Sequence, residues 1–214
     1  MKTGEVHSWC VSLDVPSETS AGLYATLSQD ERDRSARFRF ARDRQRFVAA
    51  RGALRALLGR YLGTRPGQIR FAYNAFGKPD LSPELGSRLR FNVSHSADLA
   101  VIAITTDAAI GVDLEYIRPH PDYAEIARSV FSAAEVDELN SVPSHLYPQA
   151  FLSCWTQKEA YLKARGEGLA GLDGTATDAV TFQPAPGYIG ALFVEGRAEY
   201  RIEQRVANLG ATSP

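Results

Sequence analysis

Two carboxylates lie two residues apart in an apolar segment of the chain. Asp113 and Glu115 flank Leu114 within residues 110–116. Residues i and i+2 of a β-strand point to one face, so both carboxylates point together while Leu114 packs behind them. Close carboxylates repel each other, and a divalent cation such as Mg²⁺ removes that cost. The alternative is a solvated strand face at the edge of a sheet.

A second group of residues recurs at helical spacing. Trp155, Glu159 and Lys163 are each four residues apart, so they share one face of a helix. Glu159 and Lys163 alone are consistent with an exposed ion pair worth about 0.3–0.5 kcal/mol. Trp155 on the same stripe favours a partly buried face, because an indole ring buries a large apolar area.

Serine and histidine follow one another in the segment FNVSHS, which the pattern predicts to end a strand and begin a turn. Ser94 and His95 are adjacent, so an extended chain points them to opposite faces. That argues against a Ser–His nucleophile pair and favours a loop that binds an anion with backbone and side-chain donors. The alternative is a histidine with a purely structural role.

Two further features carry positive charge. In Gly77-Lys78-Pro79 a flexible and a rigid residue flank one lysine, which predicts that Lys78 is held at a defined place. Residues 32–55 are dense in arginine. Most of such a charge run is solvated surface, although the guanidinium fork of an arginine suits a phosphate.

Length and composition exclude several classes of protein. The chain has 214 residues, enough for one or two domains, with 44% apolar and 23% charged residues as in globular proteins. Lys plus Arg is 24 and Asp plus Glu is 25, and this net charge of −1 argues against binding nucleic acid by bulk charge. No membrane span or secretory signal is recognisable, which predicts a cytoplasmic protein. Cys10 and Cys154 are expected to be unpaired and buried.

Periodicity and turn residues predict a mixed series of elements. Strands are predicted over 5–14, 69–73, 89–93, 99–105, 110–116, 177–182, 188–194 and 198–204. Helices are predicted over 17–28, from Ser28 onward, and over 41–62, 122–130, 132–140 and 145–165, with capping boxes at Ser28 and Ser132. Residues 74–87 are rich in Gly and Pro and are predicted to form a loop.

Together and in this order, these motifs resemble an Sfp-type 4′-phosphopantetheinyl transferase. The segments that carry the resemblance are FRFARDRQRFVAARGALR, FGKP, FNVSHS, IGVDLE, FSAAE and WTQKEAYLKARGEGL, which span most of the chain. GKP alone is a weak motif. VDLE combined with W-x-x-K-E-A-x-x-K, and with SH and GKP before them, is specific.

The resemblance implies an α+β fold of two similar α/β halves related by a pseudo-twofold axis. Each half has a small, mostly antiparallel sheet packed by helices, and the halves 1–107 and 108–214 enclose the active site in a cleft. The implied reaction is the Mg²⁺-dependent transfer of 4′-phosphopantetheine from coenzyme A to a serine of an acyl or peptidyl carrier protein. Adenosine 3′,5′-bisphosphate is the second product. A monomer that binds neither nucleic acid nor membrane is expected.

The roles of the family's residues carry over to matching positions. Asp113, Glu115 and Glu159 match the metal carboxylates, and Lys163 matches the lysine on the pyrophosphate. The residues expected to contact coenzyme A are Arg34, Arg46, Lys78, Ser94, His95, Lys158 and Lys163. Glu31 and Arg32 stand where some relatives have lysine near the 3′-phosphate.

The expected reaction is attack by a serine hydroxyl on the β-phosphorus of a diphosphate. Mg²⁺ and Lys163 are expected to stabilise the developing charge, and Glu159 or a water on the metal accepts the serine proton; we favour Glu159. One rival is a Mg²⁺-dependent nuclease, in which Glu and Lys would lie two residues apart on a strand. The other is a non-catalytic relative that binds a carrier or coenzyme, against which the intact acidic residues argue.

Overall fold

A computed structural model describes residues 4–166, 178–196 and 200–209 of the chain. The strands are β1 (Glu5–Ser12), β2 (Phe71–Tyr73), β3 (Pro79–Leu81), β4 (Leu89–Ser96), β5 (Leu99–Thr106), β6 (Ile110–Tyr116), β7 (Val180–Phe182), β8 (Tyr188–Val194) and β9 (Arg201–Val206). The α-helices are α1 (Ser17–Ala25), α2 (Gln29–Ala36), α3 (Ala41–Leu62), α4 (Tyr123–Val130), α5 (Ala133–Ser141) and α6 (Tyr147–Arg165). Short 3₁₀ turns cover Pro66–Gln68 and Pro83–Leu85.

The described strands form two main sheets and one small hairpin. The first sheet has the order β4-β5-β1-β9, and the second has the order β6-β8-β7. All pairs are antiparallel except that β9 runs parallel to β1. This mixed architecture of helices and small, mostly antiparallel sheets confirms the α+β fold class. The division at residue 107 stays a prediction, and β9 lies in the sheet of the first half.

Local signals in the sequence account for most element boundaries. Helix α3 covers the predicted residues and ends at Gly63, which adopts the left-handed conformation (φ 63°) that favours glycine. Both capping boxes are confirmed, with Glu31 accepting a hydrogen bond from the backbone N–H of Ser28 and Glu135 from that of Ser132. Residue 177 and residues 198–199, the first residues of two predicted strands, lie outside the described part of the chain.

Two loop predictions are wrong. The FNVSHS segment does not begin a turn, because β5 pairs with all of β4 as far as Ser96 and the connecting turn falls at Ala97 and Asp98. The side chains of Ser94 and His95 do take opposite faces, since Ser94 is buried and His95 is exposed. Residues 74–87 do not form a single loop, because the short strand β3 lies within this range and pairs with β2. The residues between the two strands form the turn of a hairpin.

Both cysteines are free, as expected, but the prediction that they are buried is wrong, because Cys10 and Cys154 are partly exposed. In the described part of the chain, every helix is too short or too polar to cross a membrane.

Helix α6 packs directly on β6, and a glycine makes this contact possible. A Cβ atom on Gly111 would lie 1.9 Å from the carbonyl oxygen of Ala160 and 2.4 Å from the nitrogen of Ala164. Only a residue without a side chain tolerates such an approach. Val112 and Leu114, on alternate positions of β6, are buried in the core between the two sheets. The fold therefore holds the helix and the strand that carry the predicted acidic residues in close contact.

Candidate active site

Strands β4 and β6, each at the edge of its sheet, are joined by side chains. The Oγ of Ser94 donates to Asp113 Oδ1 at 2.9 Å, and the Oγ of Ser96 donates to Glu115 Oε2 at 2.9 Å. Both contacts advance by two residues on each strand, so Asp113 and Glu115 share a face, as predicted. Sequence reasoning missed Ser96, although its spacing from Ser94 equals that of the two carboxylates.

Asp113 lies at the centre of this group and is only 4% exposed. The Nζ of Lys163 on α6 lies 2.5 Å from Asp113 Oδ1 and 3.1 Å from Ser94 Oγ. The other carboxylate oxygen, Oδ2, is buried and has no hydrogen-bond partner among the described residues. A buried oxygen of this kind is costly to leave unpaired, so it marks a place for a cation or a donor.

Three carboxylates influence one another across β6 and α6. Burial raises the pKa of Glu159; the Lys163 ammonium opposes this shift, and the charges of Asp113 and Glu115 add to it. Burial also raises the pKa of Glu115, Asp113 adds to the shift, and the hydrogen bond from Ser96 opposes it. Glu159 therefore lies within electrostatic range of both strand carboxylates.

The chemistry of this donor set fits a divalent cation. In the described part of the chain, no three His, Cys, Asp or Glu side chains form a preorganised metal site. Asp113 Oδ1 is paired with Lys163 and Glu115 with Ser96. Mutual repulsion among Asp113, Glu115 and Glu159, together with the unpaired Oδ2, is the situation that a bound Mg²⁺ relieves. The metal stays a prediction.

His95 lies on the opposite face of β4 from Ser94, at the exposed edge of the same group. Desolvation by the surrounding protein lowers the pKa of His95, the Lys163 ammonium lowers it further, and Asp113 opposes the shift. This environment therefore favours the neutral imidazole over the protonated form. A neighbouring phosphate would favour its protonated form.

Comparisons with known proteins assign both halves of the chain. Residues 16–107 match the N-terminal family model of 4′-phosphopantetheinyl transferases, and residues 109–206 match the model of the 4′-phosphopantetheinyl transferase superfamily. The chain is 44% identical over 190 residues to the 4′-phosphopantetheinyl transferase HetI of Nostoc sp., which covers 86% of this chain and 80% of that protein. The chain belongs to the 4′-phosphopantetheinyl transferase family.

Two further relatives agree with this assignment. The chain is 40% identical over 163 residues to the putative 4′-phosphopantetheinyl transferase slr0495 of Synechocystis sp., covering 76% of this chain and 65% of that protein. It is 37% identical over 123 residues to the 4′-phosphopantetheinyl transferase AcpT of Escherichia coli, covering 58% of each chain. The resemblance drawn from the motifs is thus confirmed at the level of the family.

Three basic residues expected to contact coenzyme A in this transferase have protein partners. Lys78 Nζ donates to two backbone carbonyls at the end of α6 and to that of Ile110 at the start of β6. Lys158 is 2% exposed, and its Nζ lies 2.9 Å from Glu135 Oε1, which joins α6 to α5. Arg46 binds both carboxylate oxygens of Asp14 at 2.8 Å. The coenzyme contacts of these three residues stay predictions.

The remaining arginine-rich segment divides into buried and exposed positions. Glu31, 2% exposed, pairs with the buried Arg55 at 2.6 Å, so in this transferase it links α2 to α3 inside the protein. Arg34 is exposed and lies over the ring of Phe47 at 5.5 Å. Arg46 also donates to the carbonyl of Ala97 at 2.7 Å and so holds the β4–β5 turn. Of the two arginines of this segment expected to contact coenzyme A, Arg34 is exposed and Arg46 is partly buried.

Proposed function

We propose that this protein transfers the 4′-phosphopantetheine group of coenzyme A to a serine of an acyl or peptidyl carrier protein, in the presence of Mg²⁺. Adenosine 3′,5′-bisphosphate is released. The observation that supports the site assignment is the group formed by Ser94, Asp113 and Lys163, which joins segments of the two family-matching halves. We propose that the protein acts in the cytoplasm as a monomer and that neither nucleic acid nor membrane is its partner.

Asp113, Glu115 and Glu159 would hold Mg²⁺, which when bound supplies electrostatic stabilisation for charge on the phosphoryl oxygens. Lys163 has a partly exposed ammonium, so it can bind a phosphate oxygen while Asp113 orients it. Ser94 fixes this arrangement by donating to Asp113 and accepting from Lys163. His95, at the edge of the group, would contact the phosphates of the coenzyme.

In the transfer step, the carrier's serine oxygen bonds to the β-phosphorus and the bond from that phosphorus to the leaving bisphosphate oxygen breaks. The serine proton must leave as the new bond forms. Glu159 is our candidate acceptor, because its raised pKa brings the carboxylate nearer to the operating pH, where general bases are most effective. Lys163 stabilises the charge on the phosphoryl oxygens by its fixed position.

The carrier would approach a positively charged surface. Residues of the segment between α2 and α3 and of the start of α3 are exposed, among them Arg37, Arg39, Arg42 and Arg44. Carriers of this family are typically acidic, so this surface offers complementary charge. Strong salt dependence of the KM for the carrier, absent for coenzyme A, would support this docking face. A KM that salt does not change would remove it.

The test is a mass assay with the purified protein, Mg²⁺, coenzyme A and a panel of apo-carriers. Transfer adds about 340 Da to one carrier serine, a covalent change that only a transferase produces. The reaction should stop when EDTA removes the metal. A non-catalytic relative would bind coenzyme A without any mass shift, and incubation with plasmid and Mg²⁺ would reveal a nuclease.

A further inference from the structure

The side chain of Lys78 reaches from the β2–β3 turn to the C-terminal end of α6. Its Nζ lies 2.5 Å from the carbonyl oxygen of Lys163, 2.9 Å from that of Ala164 and 3.3 Å from that of Ile110. An ammonium has three hydrogens, so these three carbonyls use all of its donors. Lys78 thereby links the last turn of α6 to the first residue of β6.

The end of α6 needs such a partner. The last carbonyls of a helix lack intrahelical donors and carry partial negative charge. Gly166 adopts a left-handed conformation (φ 69°), and its N–H donates to the carbonyl of Leu162. Lys78 then satisfies the next two carbonyls with a positive charge. Its position is half-buried, and this burial lowers the pKa of the ammonium.

Asn74 fixes the turn that carries Lys78. Its Nδ2 donates to the carbonyl of Gly166 at 3.1 Å, and its Oδ1 accepts from the backbone N–H groups of Phe76 and Lys78, both at 2.9 Å. Two side chains of one turn therefore bind the same helix end. Hydrogen bonds within the turn therefore fix the position from which Asn74 and Lys78 bind the end of α6.

Lys163 is consequently held at both of its ends. Lys78 binds its backbone carbonyl, while Asp113 and Ser94 bind its ammonium. Because α6 already lies in backbone contact with Gly111, a small shift of the last turn would change the distance between Lys163 and Asp113. Displacements of about 1 Å in a catalytic group can reduce a rate about 100-fold.

We propose that Lys78 is a positioning residue for the transfer reaction, which keeps the last turn of α6 on β6 and so keeps Lys163 beside Asp113. This inference rests on the proposed function. It differs from the expectation drawn from the motif, in which Lys78 contacts coenzyme A directly. The two roles predict different kinetic effects, because a positioning residue alters turnover and a ligand contact alters affinity.

The experiment compares Lys78→Met and Lys78→Arg with a matched control, Arg90→Met. Arg90 is also a cation near this turn, but its guanidinium donates to the carbonyl of Leu89 and lies 3.9 Å from Asp80. For each protein we would measure kcat and KM in the mass assay, the Kd of coenzyme A by calorimetry, and hydrogen exchange of the amides in the last turn of α6.

Lys78→Met is expected to lower kcat about 10- to 100-fold while the Kd of coenzyme A changes by less than about threefold. Hydrogen exchange at the end of α6 should accelerate. Lys78→Arg should restore most of kcat, since its donors reach the same carbonyls, and Arg90→Met should leave kcat unchanged. If Lys78→Met does not fold, Asn74→Ala should show the same pattern more weakly.

A tenfold rise in the Kd of coenzyme A with normal kcat would assign Lys78, or Asn74 in its place, to coenzyme binding and overturn the proposal. Wild-type kcat and exchange rates in the Lys78→Met protein would overturn it as well. If the wild-type protein transfers nothing to any carrier, the proposed function fails. Hydrogen exchange then still decides whether Lys78 holds the end of α6.

Discussion

Lys163 Nζ lies 2.5 Å from Asp113 Oδ1, and Ser94 Oγ lies within hydrogen-bond distance of both groups. Asp113 and Lys163 come from the region that matches the superfamily model, whereas Ser94 comes from the region that matches the N-terminal model. The three side chains therefore tie the two parts of the protein together at the place where the chemistry is proposed. Lys163 also neutralises a carboxylate that would otherwise be buried with its charge uncompensated.

Replacing Asp113 tests the metal assignment. Asp113→Ala should lower kcat by at least about 100-fold, because Lys163 loses its orienting partner and the proposed Mg²⁺ site loses a ligand. The protein should stay folded, since Lys163 is partly exposed and can turn to solvent. The measurement is the carrier mass assay with circular dichroism, and Asp137→Ala on the exposed side of α5 is the control. A fully active Asp113→Ala protein with Mg²⁺ would refute the assignment.

The raised pKa of Glu159 predicts whether replacing this residue increases or decreases the stability of the protein. A carboxylate whose pKa is raised by folding contributes stability below its unfolded pKa, and that contribution is lost as pH rises through the folded pKa. At pH 7 without metal, Glu159→Gln should therefore raise the Tm while abolishing turnover. Asp113 and Glu115 would be relieved of one repulsive neighbour.

Thermal unfolding from pH 4 to pH 8, with and without Mg²⁺, checks this sign. The wild-type protein should gain Tm from Mg²⁺ at pH 7 and lose that gain as the pH falls towards 4.5, because protonated carboxylates bind metal poorly. The Glu159→Gln protein should show a much smaller gain. A variant that is less stable than the wild type at pH 7 would contradict the repulsion that we infer.

The sequence predicts those parts of the site that depend on local geometry. Alternation along β6 and the four-residue repeat along α6 determine the faces of Asp113, Glu115 and Lys163, and these faces are as predicted. Local patterns do not predict that β4 lies beside β6, because this contact depends on packing between two sheets. The motif therefore predicts a coenzyme contact for Ser94, whereas its hydrogen bond to Asp113 is visible only in the structure.

Most of the contacts that the sequence does not reveal are made by long, positively charged side chains. Lysine and arginine reach several ångströms from their own strand or helix, and their partners are set by tertiary structure. Lys78, Lys158 and Arg46 each have an ion-pair or carbonyl partner on another element, and nothing in the local pattern indicates it. The pairing of β9 with β1 across most of the chain is equally non-local.

His95 is predicted to contribute to the affinity for coenzyme A and to take up a proton when the coenzyme binds. His95→Ala should weaken the binding of coenzyme A about tenfold, the loss expected for one hydrogen bond to a charged group. Because the pKa of the free imidazole is lowered, a bound phosphate should raise it and draw in a proton. The affinity of the wild-type protein should therefore fall as the pH rises from the lowered pKa of the free imidazole through the raised pKa in the complex.

Calorimetry in buffers of different ionisation enthalpy measures this proton uptake. The wild-type protein should take up protons on binding coenzyme A near neutral pH, and the His95→Ala protein should not. His145→Ala, in the exposed connection between α5 and α6, is the matched control. Unchanged affinity in the His95→Ala protein would count against a phosphate contact at this residue.

Gly111 tests whether close contact between α6 and β6 is required. In Gly111→Ala the new methyl group would meet backbone atoms of Ala160 and Ala164, which cannot turn away as a side chain can, so α6 must move. We expect a loss of about 1–3 kcal/mol in the free energy of unfolding and a larger loss of kcat, since Lys163 moves with the helix. Urea unfolding and the mass assay measure the two effects.

Gly22→Ala in α1 is the control, because its Cβ meets no atom within 4 Å and should add about 0.5–1 kcal/mol of stability. If Gly111→Ala is as stable and as active as the wild type, close contact between α6 and β6 is required neither for stability nor for turnover.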